Sequence, residues 1–194
     1  MGKIIGNITY KESVVMNPFE VLKDAFLPLL DGEKKPLHVG EVMNLWFYLT
    51  GTEQTLRGDQ ISYNLVQDEE LKEKLKDVIE NVHRPMIEEL KEFLRKEGVP
   101  LPETTPEKTI GDYRSVPEGA KMTDEEIANF LAYNLVVGIN AATRGITEAV
   151  RTDVGYMFMK YQMMKVTFAL TLKELMIRKD WILIPPYYNQ NQLL

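Results

Sequence analysis

The chain has 194 residues, 44% of them hydrophobic and 27% charged, enough apolar material for a sizeable core, which excludes intrinsic disorder and collagen-like architecture. Its 23 Lys and Arg against 29 Asp and Glu leave a formal charge of -6, the wrong sign for gripping phosphate backbones, so nucleic acid is not an expected partner. The absence of cysteine excludes disulfides, thiolate metal sites, iron–sulfur clusters and a cysteine nucleophile.

The opening MGKIIGNITYKESVV lacks the apolar run of an export signal, so the chain is expected to be cytoplasmic at synthesis. Residues 1–36 read as an N-terminal arm. Within it Asn17, Pro18 and Glu20 supply the cap, first-turn proline and capping acid of a short extra helix to about Leu30. Its Phe19, Leu22, Phe26 and Leu29 need a surface to cover, either on the same bundle or on another subunit.

Four long segments follow with helical periodicity, which makes the chain all-α. The first, Leu37 to Val66, repeats Val39, Val42, Trp46, Leu49, Leu56 and Tyr63, with Gly51 and Gly58 as weak points. The second, Glu69 to Glu97, carries Leu71, Leu75, Val78, Val82, Met86, Leu90 and Phe93 on one face and stops at Gly98 and Pro100. Pro85 lies inside it and predicts a kink near Asn81 to Pro85.

Residues 98–122 hold four prolines, Pro100, Pro102, Pro106 and Pro117, and read as an extended connection. Thr123 and Glu126 then form a capping box that opens the third helix, which runs to about Val150. The stretch Ile127 to Thr143 is nearly uncharged but interrupted by Asn129, Asn134 and Asn140, too short and polar to span a membrane. The fourth helix starts at Thr152 or Asp153 and continues to about Lys179, with Met157, Phe158, Tyr161, Phe168, Leu172, Leu175 and Met176 as its apolar stripe. Arg144, Arg151 and Asp153 read as braces of the hinge between the last two helices.

Each helix is about 40 to 45 Å long at 1.5 Å per residue, so the four form one bundle over residues 37–180, followed by a tail over 181–194. Short joints make hairpins of the first two and the last two helices. The connection of about 25 residues reaches up to roughly 80 Å when extended, enough to cross the bundle end to end. Two hairpins with one long crossover are the ferritin-like arrangement.

The run HVGEVMNLWFYLT, the stretch KEGVPLP, the junction AVRTDVGYMF and the tail DWILIPPYY together resemble an uncharacterised ferritin-like family of spore-forming bacteria, spore coat protein-like in name. The resemblance covers about Leu37 to Tyr188. It implies a four-helix fold and a link to sporulation, with no catalytic set to carry over.

Ferritin-like bundles that bind two metals use a Glu from each of two helices and Glu-x-x-His from each of the other two. Glu80 and His83 fit one such fragment, but the fourth helix has no histidine and the middle of the third no carboxylate. With Leu75 at zero and about 100° per residue, the stripe of the second helix centres near 10°, His83 falls at about 80° and Glu80 at about 140°. The pair therefore reads as a weak metal candidate, or as a solvated Glu beside a half-buried His. No cofactor is implied.

Glu53 lies on the core stripe of the first helix and Lys165 on that of the fourth, both near mid-helix. Either they form a buried polar pair at the bundle centre, because an isolated buried charge is costly, or both reach out to solvent. Asn134 lies on the inner face of the third helix among Gly138, Ala141, Ala142 and Gly145, small residues that either admit a neighbouring helix closely or leave a pocket. Methionines Met157, Met159, Met163 and Met164 are adaptable packing or the lining of such a pocket.

No phosphate loop, serine nucleophile motif or acid–base constellation appears, so enzymatic activity is not expected. Three functions stay open. One is a structural or assembly protein associated with the spore coat, working through self-association or another coat protein. The others are a degenerate ferritin-like metal-binding protein and a carrier of a small apolar ligand in the bundle core.

Overall fold

The computed structural model describes residues 34–188, and every regular element among them is helical. The expected short helix before Leu30 lies outside these residues. Helix α1 spans Val39–Leu65, α2 Glu69–Asp77 and α3 Arg84–Lys96, with a π-helical turn, Val78–His83, between the last two. Helix α4 spans Asp124–Glu148 and α5 Thr152–Arg178. No described helix is long and apolar enough to cross a membrane.

The helix starts follow from local chemistry. Thr123 and Glu126 close the expected capping box on α4. His38 caps α1 by accepting from the Gly40 and Glu41 amides through Nδ1, while Glu41 returns to the His38 amide. Asp68 caps α2 by accepting from the Leu71 amide. Gly98, at φ 73°, ends α3 in the left-handed conformation that glycine adopts without steric cost.

Proline 85 does not simply kink the second helical rod. Pro85 brings no N–H for the carbonyl of Asn81, and the backbone responds with a π turn in which the Arg84 amide donates to Ile79 five residues back. Each residue of that turn advances by less than the α-helical 100°, so every side chain after Val78 is rotated relative to the ideal helix.

Packing sets the topology. Helix α1 packs on α2, the π turn and α3 on one side and on α4 on the other; α4 packs on α5, and α5 returns to α2 and the π turn. The 97–123 connection runs along α1 from one end to the other. Trp46 Nε1 donates to the Pro100 carbonyl, Arg57 to Thr105, and Asn64 to Thr109. At the far end Asp124 accepts from the Gln67 amide, so the connection traverses the length of α1 as its prolines suggest.

The core is built from Leu45, Leu49 and Leu56 of α1, Leu71, Leu75, Val78, Val82, Met86 and Leu90 of the second rod, and the whole expected stripe of α5. The stripe of α1 differs in phase from the sequence expectation. Val39 is 86% exposed, and the inner row of α1 is Leu45, Leu49, Thr52, Leu56 and Asp59. Gly51 and Gly58 do not break α1, and Gly58 receives the Phe130 ring of α4 at 3.5 Å from where a Cβ would be.

Candidate functional site: the bundle centre

Beyond its first turn α1 buries two acids, Asp59 on the inner row and Glu53 beside it, both 1% exposed. Burial of a carboxylate is costly unless a cation or donor answers it. Each acid receives a different answer. Glu53 Oε1 pairs with Lys91 Nζ of α3 at 2.8 Å, whereas Asp59 Oδ2 lies 2.9 Å from His83 Nδ1. Lys165 of α5 is equally buried, its Nζ 5.5 Å above the centre of the Tyr48 ring. Asp59 is the anion whose field favours its charge.

The expected partnership of Glu53 with Lys165 is thus corrected: both are buried, but Glu53 is answered by Lys91. The stripe pattern gives no signal for Lys91, because its long stem starts outside the apolar stripe of α3 and reaches inward, leaving the residue only partly exposed.

His83 also differs from its sequence reading. An unbroken α-helix would set it at the stripe's edge; the π turn that precedes Pro85 carries it inward, and it is 1% exposed. Glu80, on the same turn, faces outward at 52% exposure and accepts from Arg84 at 3.1 Å. The structure therefore separates Glu80 from His83 as potential co-ligands. Among the described residues no three His, Asp or Glu side chains converge as a metal-holding group.

Two glycines of α4 shape this centre. A Cβ on Gly138 would lie 2.6 Å from Lys165 Nζ and 3.0 Å from its Cδ, and one on Gly145 would lie 2.5 Å from the Phe158 ring. The small residues of α4 thus accept Lys165 and Phe158 directly. Asn134, one turn before Gly138, is half-buried. Tyr48 stacks on Tyr161 with centroids 5.7 Å apart and planes at 9°. Tyr48 meets Phe158 edge-on at 5.4 Å.

Burial dominates the electrostatics. Loss of solvent pushes the Lys165 ammonium down to about 8, with Asp59 opposing the shift. Desolvation also lowers His83, as does the field of Lys165, while contact with Asp59 works the other way. Burial raises both the Tyr48 and Tyr161 phenols, so both stay protonated at neutral pH. The Tyr48 hydroxyl and His83 Nε2 find no hydrogen-bond partner among the described residues.

Residues 26–194 match the model of a family described as a protein of unknown function, DUF3231. The chain belongs to that family. The family resemblance read from the sequence is therefore borne out. Over 158 residues this DUF3231 chain is 28% identical to the uncharacterised protein YvdQ of Bacillus subtilis strain 168, which covers 81% of this chain and 92% of YvdQ. It is similar to the crystal structure, at 1.54 Å, of a protein from Bacillus halodurans C-125 named a "putative spore coat protein". That match has a TM-score of 0.77 at 30% identity and covers 80% of this chain and 98% of the other. A conserved hypothetical protein from Mycobacterium tuberculosis shares the fold alone, with TM-score 0.58 at 13% identity over 72% of this chain and 99% of its own.

Asp59 was the acid missed in this DUF3231 chain, although its signal was present. Leu45, Leu49, Thr52, Leu56 and Asp59 step by four, three, four and three, a heptad row that places the acid inside as firmly as the leucines.

Proposed function

We propose that this chain is a non-enzymatic structural or assembly protein associated with the spore coat, built as a ferritin-like bundle over residues 37–180 with an N-terminal arm and a C-terminal tail. The observation that carries this reading is Lys165: the level where a metalloenzyme of such a fold would gather its ions is filled by the protein's own ammonium group, with Asp59 as counter-charge and Gly138 cut away to admit it. A fixed cation repels a metal ion, and the two buried acids of the centre are each already answered by a side chain of the protein, Glu53 by Lys91 and Asp59 by His83. Likeness to the Bacillus halodurans protein supports the coat assignment.

In this reading the protein acts through its surfaces, by self-association or by binding another coat protein. Immunoblotting of spores separated into coat and core fractions, using antibody to the purified chain, tests the placement. Recovery in the coat extract is expected. Recovery in the mother-cell cytosol alone, or two tightly held transition metals per chain by elemental analysis, would contradict the proposal.

A further inference from the structure

Charge is distributed unevenly around this molecule. The second rod alternates acids and bases along almost its whole length, whereas α4 has no charged residue between Glu126 and Arg144. On its outward side α4 instead exposes Phe130, Tyr133, Val136 and Val137, at 43% to 67% exposure. The neighbouring helices extend the face, with Phe47 of α1 on one flank and Leu170 of α5 on the other, 62% and 61% exposed.

The size of this face matters. Helix α4 has 25 residues and is therefore about 38 Å long, and rows on two helices each about 9 Å away widen the face to roughly 20 Å. That gives a footprint on the order of 750 Å², close to the ~800 Å² each partner contributes to a stable interface.

We propose that this face is where a second copy of the chain docks, two α4 helices meeting around a two-fold axis near Tyr133 and Val137; the inference deepens the association reading above and rests on it. Charge selects the occupant. Two copies that each carry a formal charge of -6 repel on approach, and a contact through this uncharged face brings no like charges together. An apolar face with no net charge is complementary to itself, as an isologous contact requires. A strongly basic or acidic partner would find no counter-charge there. Asn140, exposed in the same row, carries an amide that both donates and accepts and so tolerates its own copy opposite.

Sedimentation velocity of the full chain over a range of concentrations tests this, alongside Val137→Glu, Tyr133→Glu and, on the charged side, Lys96→Glu. Thermal melts verify that each variant folds. A dimer is expected for the native chain and for Lys96→Glu, with the dissociation constant raised about 100-fold or more in the two α4 variants. If all four proteins dimerise alike, the α4 face is not the interface, although the association reading survives. If the native chain is monomeric throughout, self-docking is overturned. Capture by a coat extract that Val137→Glu abolishes would then assign the face to a different protein, and absence of both would overturn the association reading as well.

Discussion

The end of the bundle where α4 turns into α5 and the bundle's centre both bury charge, yet they solve the problem differently. At the end, Arg151 donates through both Nη atoms to the two oxygens of Glu97, at 2.7 and 2.9 Å, and through Nε and Nη2 to Asp153. Glu41, 2% exposed, accepts from the Val150 and Arg151 amides and so ties the start of α1 to the same turn. Almost every polar atom there has a short, directed partner. At the centre, Lys165 has a ring and the field of Asp59, and Tyr48 and His83 keep atoms without partners. A satisfied network holds its charges cheaply, whereas an incompletely satisfied one depends on each remaining member.

The largest effect is therefore expected at the centre. Asp59→Asn removes the counter-charge of Lys165 and should destabilise by about 3–5 kcal/mol, the cost of leaving a buried ion unanswered. Asp59→Leu with Lys165→Met, which removes both charges, should fall within about 2 kcal/mol of the native chain. Urea unfolding of the single and double variants measures the coupling. A loss below about 1 kcal/mol for Asp59→Asn would mean that water already compensates the cluster.

At the end of the bundle Arg151→Met strands Glu97 and Asp153 at once, but both carboxylates retain some solvent contact, at 20% and 12% side-chain exposure. The expected loss is about 2–3 kcal/mol. Arg151→Lys should recover less than half of it, because an ammonium cannot reproduce the planar fork that serves two carboxylates. Full rescue by lysine would show that charge alone holds the turn.

The same contrast explains what the sequence made legible. The four helices, the crossover and the braces at Arg151 and Asp153 follow from local signals: periodicity, prolines, caps and charged residues beside a turn. The central cluster depends on phase. Regular 100° steps set His83 at the stripe's edge, and only the π turn ahead of Pro85 brings it to Asp59. For Glu53 and Lys165 the sequence leaves open a buried pair or two side chains reaching solvent; the structure buries both, and the choice of partner rests on helix neighbours and the reach of Lys91. Asp59 lies off the row that begins at Val39 and on the row that begins at Leu45, so its burial follows only once the phase of α1 is fixed.

A middle-sized effect tests whether Lys165 fills the centre as tightly as the geometry implies. A Cβ at Gly138 would approach Lys165 at three atoms, 2.6 to 3.1 Å away, so Gly138→Ala must displace the lysine from Tyr48 and Asp59. The expected cost is about 1–3 kcal/mol. In a Lys165→Met background, where the neutral, flexible side chain can yield, the same substitution should cost at least about 1 kcal/mol less. Equal costs in both backgrounds would place the strain in the helix contact itself.

The smallest effect separates the two regions by pH. Burial holds the His83 pKa below its ordinary 6.5, so below pH 6.5 the unfolded chain takes up a proton that the folded chain refuses. Stability should fall as the pH drops from 6.5, by at most about 1.4 kcal/mol per pH unit from this group. The Arg151 network at the bundle's end behaves differently. Burial alone would raise the Asp153 carboxyl, but hydrogen bonds from Arg151 and Lys34 together outweigh it and hold it at about 2. The Arg151 hydrogen bond likewise lowers Glu97 against its ordinary 4.5. Their contribution is complete above those ordinary carboxylate values and is lost only as pH falls toward 2. Chemical unfolding at a series of pH values should therefore show an upper limb beginning near 6.5 and a steeper one below about 4.5, where other paired carboxylates such as Asp68 join. His83→Gln should flatten the upper limb and leave the lower one in place. If the upper limb persists in that variant, His83 is not the group that links the bundle centre to pH.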